Sequence, residues 1–175
     1  MTSPTSHHLT LRGLPLRVLD WAPLPGVDPA RWPVLLLHGF ADTAPSWAPV
    51  AHALQVAGHR VIAPDQRGFG DSGRAGAGGY YHFPDYVADV DALVRALDLP
   101  TLALVGHSMG GTVATLFAGS RPGQVGRLAL LEGLGPPDSE PAHAPARFTR
   151  WLDDLAREGG RGRERSFDAD SALSR

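Results

Sequence analysis

The residues Gly106-His107-Ser108-Met109-Gly110-Gly111 constrain this chain more than any others, because an apolar run ends directly before them and a small-residue stretch follows directly after. Leu102–Val105 has the unbroken apolar character of a strand covered on both faces, and Met109 to Gly119 reads as a helix. A serine at a sharp strand-to-helix turn is held in strained backbone geometry. The flanking glycines are required there, because a side chain would strike the neighbouring strand and helix. The hydroxyl then projects from the C-terminal edge of the sheet, where ligands bind in open α/β folds. The following helix points its N-terminal N–H groups at the same spot, which favours developing negative charge. A glycine-rich turn whose serine merely caps the helix is the bland alternative; the setting favours a nucleophile.

The other apolar runs supply the sheet that such a bend needs. The 21 glycines and 16 prolines fall between these runs rather than inside them, as punctuation between regular elements does. Leu9 to Leu19 alternates around Gly13 and predicts two short strands joined by a turn. Val34–Leu37, Arg60–Ala63 and Leu128–Leu131 read as further strands. Helical spacing runs from Ser46 to Ala57, with Gly58 as its cap, and from Tyr86 to Leu97, stopping before Pro100. Strand and helix alternate repeatedly. That rhythm predicts the α/β class, with a mostly parallel, doubly wound sheet carrying helices on both faces.

The composition changes after Gly133. Gly135 to Pro145 reads as a loop, and Phe148, Trp151, Leu152 and Leu155 then fall on one face of an amphipathic helix. From Glu158 onward Gly and Arg dominate and predict a poorly ordered tail. The arginines from Arg157 to Arg165 read as solvated charge rather than as a site for an acidic partner. We divide the chain into a core at residues 1–135 and a lid-like segment with its tail at 136–175.

Composition excludes several chemistries. A chain of 175 residues is one domain's worth, and 16 basic against 18 acidic residues leave a net charge of −2. That balance gives no electrostatic reason to bind nucleic acid or an anionic membrane. The chain has no cysteine, which removes thiol nucleophiles, disulfides and thiolate metal sites. Every basic residue is arginine, so no lysine can form a Schiff base. Nothing in the sequence implies a metal or an organic cofactor. Met1 to His8 lacks both a basic patch and a long apolar stretch, so no secretory signal is expected and a cytoplasmic location is. The apolar runs are too short to span a bilayer.

Two further segments converge on the same sheet edge. Leu35-Leu36-Leu37-His38-Gly39-Phe40 ends a strand where the Phe40 N–H can face the serine. With the Met109 N–H it would make a two-donor oxyanion hole, worth about 3 kcal/mol per donor. His38 itself reads as structural. Asp65-Gln66-Arg67-Gly68-Phe69-Gly70-Asp71-Ser72 reads as scaffold, a tight turn with Asp65 and Arg67 tied into hydrogen bonds.

Together, His38-Gly39-Phe40, Asp65-x-Arg67-Gly68-x-Gly70-x-Ser72 and Gly106-His107-Ser108-Met109-Gly110-Gly111 resemble the α/β-hydrolase superfamily over about Leu9 to Gly133. The helix around Trp151 is similar to the start of that family's cap. The resemblance implies an eight-stranded, mostly parallel sheet and a Ser-acid-His triad, with Ser108 as nucleophile and the Phe40 and Met109 amides as oxyanion donors. Epoxide hydrolases and haloalkane dehalogenases of this fold use aspartate at the bend. Ser108 therefore favours ester, thioester, amide or C–C hydrolysis through an acyl-enzyme.

The rest of the triad is less plain. Glu132 occupies a position from which some superfamily members supply their acid, and it reads equally well as an anchor for a helix or loop. The family's histidine lies on a loop after the last strand. Only His143 follows Ser108, and it reads as an exposed loop residue; the His107 side chain is expected to point to another side of the bend. The expectation is a serine hydrolase for a small ester or related acyl compound, with the last strands missing and this chain inactive or nearly so alone. Leu128–Leu131 would then be an uncovered apolar edge prone to self-association. A catalytically incomplete module that needs a partner chain, and an acyltransferase or perhydrolase, are the alternatives.

Overall fold

The computed structural model describes residues 3–29, 32–76, 79–133, 135 and 140–159. Strands β1 (Thr5–Leu11) and β2 (Leu14–Trp21) pair antiparallel, with Leu11 opposite Leu14. The two residues between them, Arg12 and Gly13, both have positive φ, 51° and 81°, as the tightest hairpin turn demands. Arg12 is held in that conformation by its guanidinium, which donates to the Asp85 carbonyl and to the Asp85 and Asp89 carboxylates.

The sheet continues with β3 (Val34–Leu37), β4 (Val61–Pro64), β5 (Leu102–His107) and β6 (Val125–Leu131). Among the described residues it has six strands in the order β1-β2-β4-β3-β5-β6. The β2–β4 pairing is antiparallel and the β3–β4, β3–β5 and β5–β6 pairings are parallel. A parallel strand must return by a crossover, and helices α1 (Ala48–Val56), α2 (Phe83–Ala96) and α3 (Met109–Ser120) provide them. A short 3-10 helix, Ala44–Trp47, precedes α1.

The continuous apolar strands are explained by two cores, one on each face. In β3, Leu35 and Leu37 join a cluster with Val90, Leu93 and Phe117 of α2 and α3, while Val34 and Leu36 join one with Trp47 and Ala51. Alternate side chains point to opposite faces of a strand, so a strand covered on both faces must be apolar throughout. Each fully buried Leu or Val contributes about 1.5–3 kcal/mol.

Most boundaries shift by a few residues from the sequence expectation, and two of the shifts have a readable cause. Helix α2 begins at Phe83 rather than Tyr86, because Pro84 in its first turn has no N–H to satisfy. Strand β6 begins at Val125 rather than Leu128. Gly126 hides its start in the sequence; the Trp32 ring lies where a Cβ on Gly126 would be, at 2.8 Å. Leu128 and Leu131, an odd spacing apart and so on opposite faces of this edge strand, are 42% and 45% exposed.

The chain separates into two units, Met1–Pro136 and Pro137–Arg175. In the second, a 3-10 turn at Pro141–His143 leads into α4 (Ala144–Gly159), so part of the segment expected as loop is helical. Phe148 and Trp151 pack edge-to-face on α4, with ring centroids 6.3 Å apart. The tail expected to be poorly ordered lies, from residue 160, outside the described residues. Among the described residues, no helix is long and apolar enough to cross a membrane.

Candidate active site

The C-terminal ends of β3, β5 and β6 meet at one bend. Ser108 follows β5 and takes φ 50°, ψ −115°, a conformation that ordinary side chains avoid. Its N–H donates to the Leu131 carbonyl at 2.8 Å, and its own carbonyl accepts from the N–H groups of Gly111 and Thr112. The glycines around it have no room for a side chain. A Cβ on Gly106 would lie 2.3 Å from the Gly110 carbonyl oxygen, and one on Gly110 would lie 2.3 Å from that of Leu37. The bend is thus wedged between β3 and β6 by backbone contacts that only glycine permits.

Beside it runs the loop after β3. Gly39 lies against the bend, since a Cβ there would come within 2.9 Å of His107 Nδ1 and 3.3 Å of the Ser108 Cβ. His38 is fully buried. Its Nε2 accepts the Gln66 backbone N–H at 2.9 Å, which leaves Nδ1 to carry the proton and donate to the Gly39 carbonyl at 2.7 Å. The Gln66 side-chain amide donates back to the His38 carbonyl at 2.6 Å. Burial pushes the His38 imidazole below its ordinary pKa of 6.5, against smaller opposing effects of the Gly39 bond, Asp42 and Asp65. With both ring nitrogens engaged, His38 is a neutral brace for this loop.

The segment after β4 anchors the loop in turn. The Asp65 carboxylate is buried and accepts from the N–H groups of Ala44 and Asp71 and from the Arg17 guanidinium. The Ser72 hydroxyl donates to the Asp65 carbonyl and accepts the Arg17 N–H. Arg67 pairs with Asp89 of α2 through two hydrogen bonds, the Nη2 one 2.6 Å long. Phe69 stands edge-on to both His38 and Phe40, at 5.5 and 5.6 Å.

Ser108, Met109, Phe40 and Glu132, the four residues singled out in the sequence, line one cavity of about 450 Å³. Glu132 is exposed and has φ 53°. His107 does not line the cavity, and among the described residues no histidine does. His143 lies exposed in the second unit. Sequence reasoning missed Tyr81, Phe83, Tyr86 and Thr112, which line the cavity too, together with Gly133 and Gly135. The run Tyr80-Tyr81-His82-Phe83 after a glycine-rich stretch was the available signal, since exposed aromatic clusters mark binding surfaces.

Residues 33–172 match the family model for the alpha/beta hydrolase fold. The chain belongs to the alpha/beta hydrolase family. This alpha/beta hydrolase is 38% identical over 120 residues to a serine hydrolase-like protein of Danio rerio, covering 69% of this chain and 35% of that protein. It is 40% identical over 109 residues to a putative carbamate hydrolase of Variovorax paradoxus, covering 62% of this chain and 41% of the other. A crystal structure of a hypothetical protein of Pseudomonas aeruginosa PAO1 superposes with a TM-score of 0.80 and 32% identity, covering 97% of this chain and 56% of that one. Other relatives bear the names non-heme chloroperoxidase and epoxide hydrolase. The chain spans well under two thirds of the length of the relatives it matches.

Proposed function

We propose that this chain carries the nucleophile side of a serine hydrolase site acting on a small carboxylic ester or related acyl compound. The observation that carries the reading is Ser108 at a left-handed strand-to-helix bend, lining one cavity with Phe40 and Met109. Ser108 Oγ attacks the acyl carbon while its proton passes to a base. The oxyanion is held by the Phe40 and Met109 N–H groups, each worth about 3 kcal/mol in the transition state. The bond to the leaving oxygen breaks and the alcohol departs with a proton. Water then attacks the acyl-serine, releasing the carboxylic acid and restoring Ser108.

Glu132 shares the cavity with Ser108 and fits the role of the acid that orients a base. A hydroxyl without a neighbouring base is a poor nucleophile, and the cavity's described lining holds no histidine. The 175-residue chain is therefore expected to acylate slowly and to turn over little. A serine at the bend also separates this reading from that of the relatives named epoxide hydrolase, because epoxide hydrolases of the superfamily this chain resembles carry aspartate there. Incubating the purified chain with p-nitrophenyl acetate and weighing the intact protein tests the proposal. One acetyl group on Ser108, absent from Ser108→Ala, is the expected result; no adduct, or an adduct that survives the substitution, sinks it.

Among the described residues no strand covers the outer edge of β6 and no histidine lines the cavity, which favours a second reading in which a partner chain completes the site. Sedimentation of the pure chain across a concentration range separates the two, since a monomer at every concentration counts against self-completion.

A further inference from the structure

The cavity beside Ser108 has a wall that the catalytic assignments do not use. Phe40, Tyr81 and Phe83 keep 76%, 44% and 41% of their surface exposed, and all of them line this cavity. Tyr86, on α2, joins them from its buried side. Exposed aromatic rings gathered around one concavity mark a place where apolar matter binds.

Each ring is held from behind. The Tyr81 hydroxyl accepts the Ala75 N–H at 2.8 Å, and its ring occupies the space a Cβ on Gly68 would need, at 2.6 Å from Cε1. Gly68 in the turn after β4 thus seats a wall residue of the cavity. Phe83 packs on Tyr86 with ring centroids 6.3 Å apart, and Phe40 packs edge-on to Phe69. A ring already fixed by a second partner loses little freedom when a ligand docks, so the wall is preformed.

Charge narrows the choice further. The described lining includes no arginine or histidine, and its one carboxylate is Glu132. An anionic acyl group would find no counter-charge in that lining and would face the Glu132 carboxylate. A cavity of about 450 Å³ has room for a phenyl ring on a short linker. Flat rings offer stacked and edge-on contacts to another aromatic ring that a short alkyl chain does not make.

We propose that this pocket selects an uncharged aromatic acyl group, of the phenylacetyl type, and that Tyr81 and Phe83 are the residues that select it. The catalytic meaning rests on the serine-hydrolase reading above; binding by the wall does not. The test uses the full chain carrying Ser108→Ala, so that no chemistry intervenes. It is titrated with 2-phenylacetamide, butyramide and phenylacetate while the Phe40 and Met109 amide signals are followed by NMR. We expect 2-phenylacetamide to bind about tenfold more tightly than butyramide, and phenylacetate to bind more weakly than its neutral amide.

Tyr81→Ala and Phe83→Ala, added to that chain, should each weaken the aryl amide several-fold, whereas Tyr81→Phe keeps the ring seated on Gly68 and should lose far less. The ligand comparison needs no wall variant, so it decides the matter even where an alanine variant folds poorly. Equal affinities for the aryl and alkyl amides, shifts that map away from the cavity, or a Tyr81→Phe loss as large as that of Tyr81→Ala each overturn the proposal. If Ser108 in the unsubstituted chain resists acylation while the aryl amide still binds, the hydrolase reading fails and this one stands. If Ser108 acylates and no aryl preference is found, the hydrolase reading stands and this one fails.

Discussion

Ser108 and Glu132 both hold left-handed backbone, with φ 50° and 53°, directly after the neighbouring parallel strands β5 and β6. The Ser108 N–H bonds to the carbonyl of Leu131, the residue before Glu132, so the two strained residues are braced across one hydrogen bond. Both line the same cavity. A non-glycine residue in this region costs about 1–3 kcal/mol, and it persists only where the surroundings over-determine it.

That strain is measurable at Ser108. Glycine relieves it but adds freedom to the unfolded chain, so Ser108→Gly should stabilise by a net amount of about 1 kcal/mol, while Ser108→Ala gains nothing. Urea unfolding of the three chains gives the comparison. Equal midpoints for the glycine and alanine variants would place the strain elsewhere.

The glycines of the bend should divide sharply from a glycine outside it. Gly110→Ala drives a Cβ into the Leu37 carbonyl and should cost several kcal/mol or prevent folding. Gly119, near the end of α3, has nothing within 4 Å of its Cβ position, so Gly119→Ala should stabilise by about 0.5–1 kcal/mol. Thermal denaturation of both variants checks the contrast.

Asp89 serves two arginines that differ in exposure. Its partner Arg67 has a side chain only 8% exposed, whereas Arg12 is 37% exposed. Removing Asp89 takes away both short hydrogen bonds of the buried Arg67 guanidinium and leaves it only the Asp85 carboxylate at 3.4 Å, so Asp89→Leu should cost about 3 kcal/mol. Arg12→Met should cost under about 1 kcal/mol, because its pairings are screened by water. If chemical denaturation finds the two losses equal, the buried pair is not what holds α2 to the turn after β4.

Acid should loosen the loop that carries Phe40. The His38 ring is neutral in the folded chain, with its pKa pushed below 6.5 by burial. A lowered folded value means that the unfolded chain takes up protons first. Stability from the neutral ring is therefore complete above about pH 6.5 and is lost as pH falls from there through the lowered folded value. Urea midpoints should drop from about pH 7 to pH 5, and the drop should be smaller in His38→Asn. A slope unchanged by that substitution would assign the effect to other groups.

The edge of the sheet should govern association. Leu128 and Leu131 project from the edge strand β6 on opposite faces. Charged side chains on such edges discourage pairing, so the double substitution Leu128→Lys and Leu131→Lys should lower the weight-average mass of concentrated samples. Sedimentation velocity reads it directly.

Much of this architecture was legible along the chain because its signals are local. Leu102–Val105 followed by Gly106-His107-Ser108-Met109-Gly110 announced a strand, a bend and a helix through residues in direct succession, and the bend has little freedom to be anything else. The same holds for the turn around Gly13 that joins the first two strands. The start of β6 was not legible, since Gly126 and Arg127 carry no strand signal, and only the Trp32 ring lying over Gly126 explains the glycine.

The amino-acid order by itself determined the strand and helix alternation, the glycine-lined bend with Ser108 at its apex and the neighbouring Phe40 loop, since each depends on periodicity or on steric limits within a few residues. Only the tertiary structure decided how distant residues are used. It engaged both His38 nitrogens, joined Arg67 to Asp89, set Tyr81 on Gly68 and brought Glu132 into the Ser108 cavity. Such contacts depend on how strands far apart in sequence come to lie side by side. Local pattern carries no record of that, because a side chain's partner is chosen by packing rather than by its neighbours along the chain.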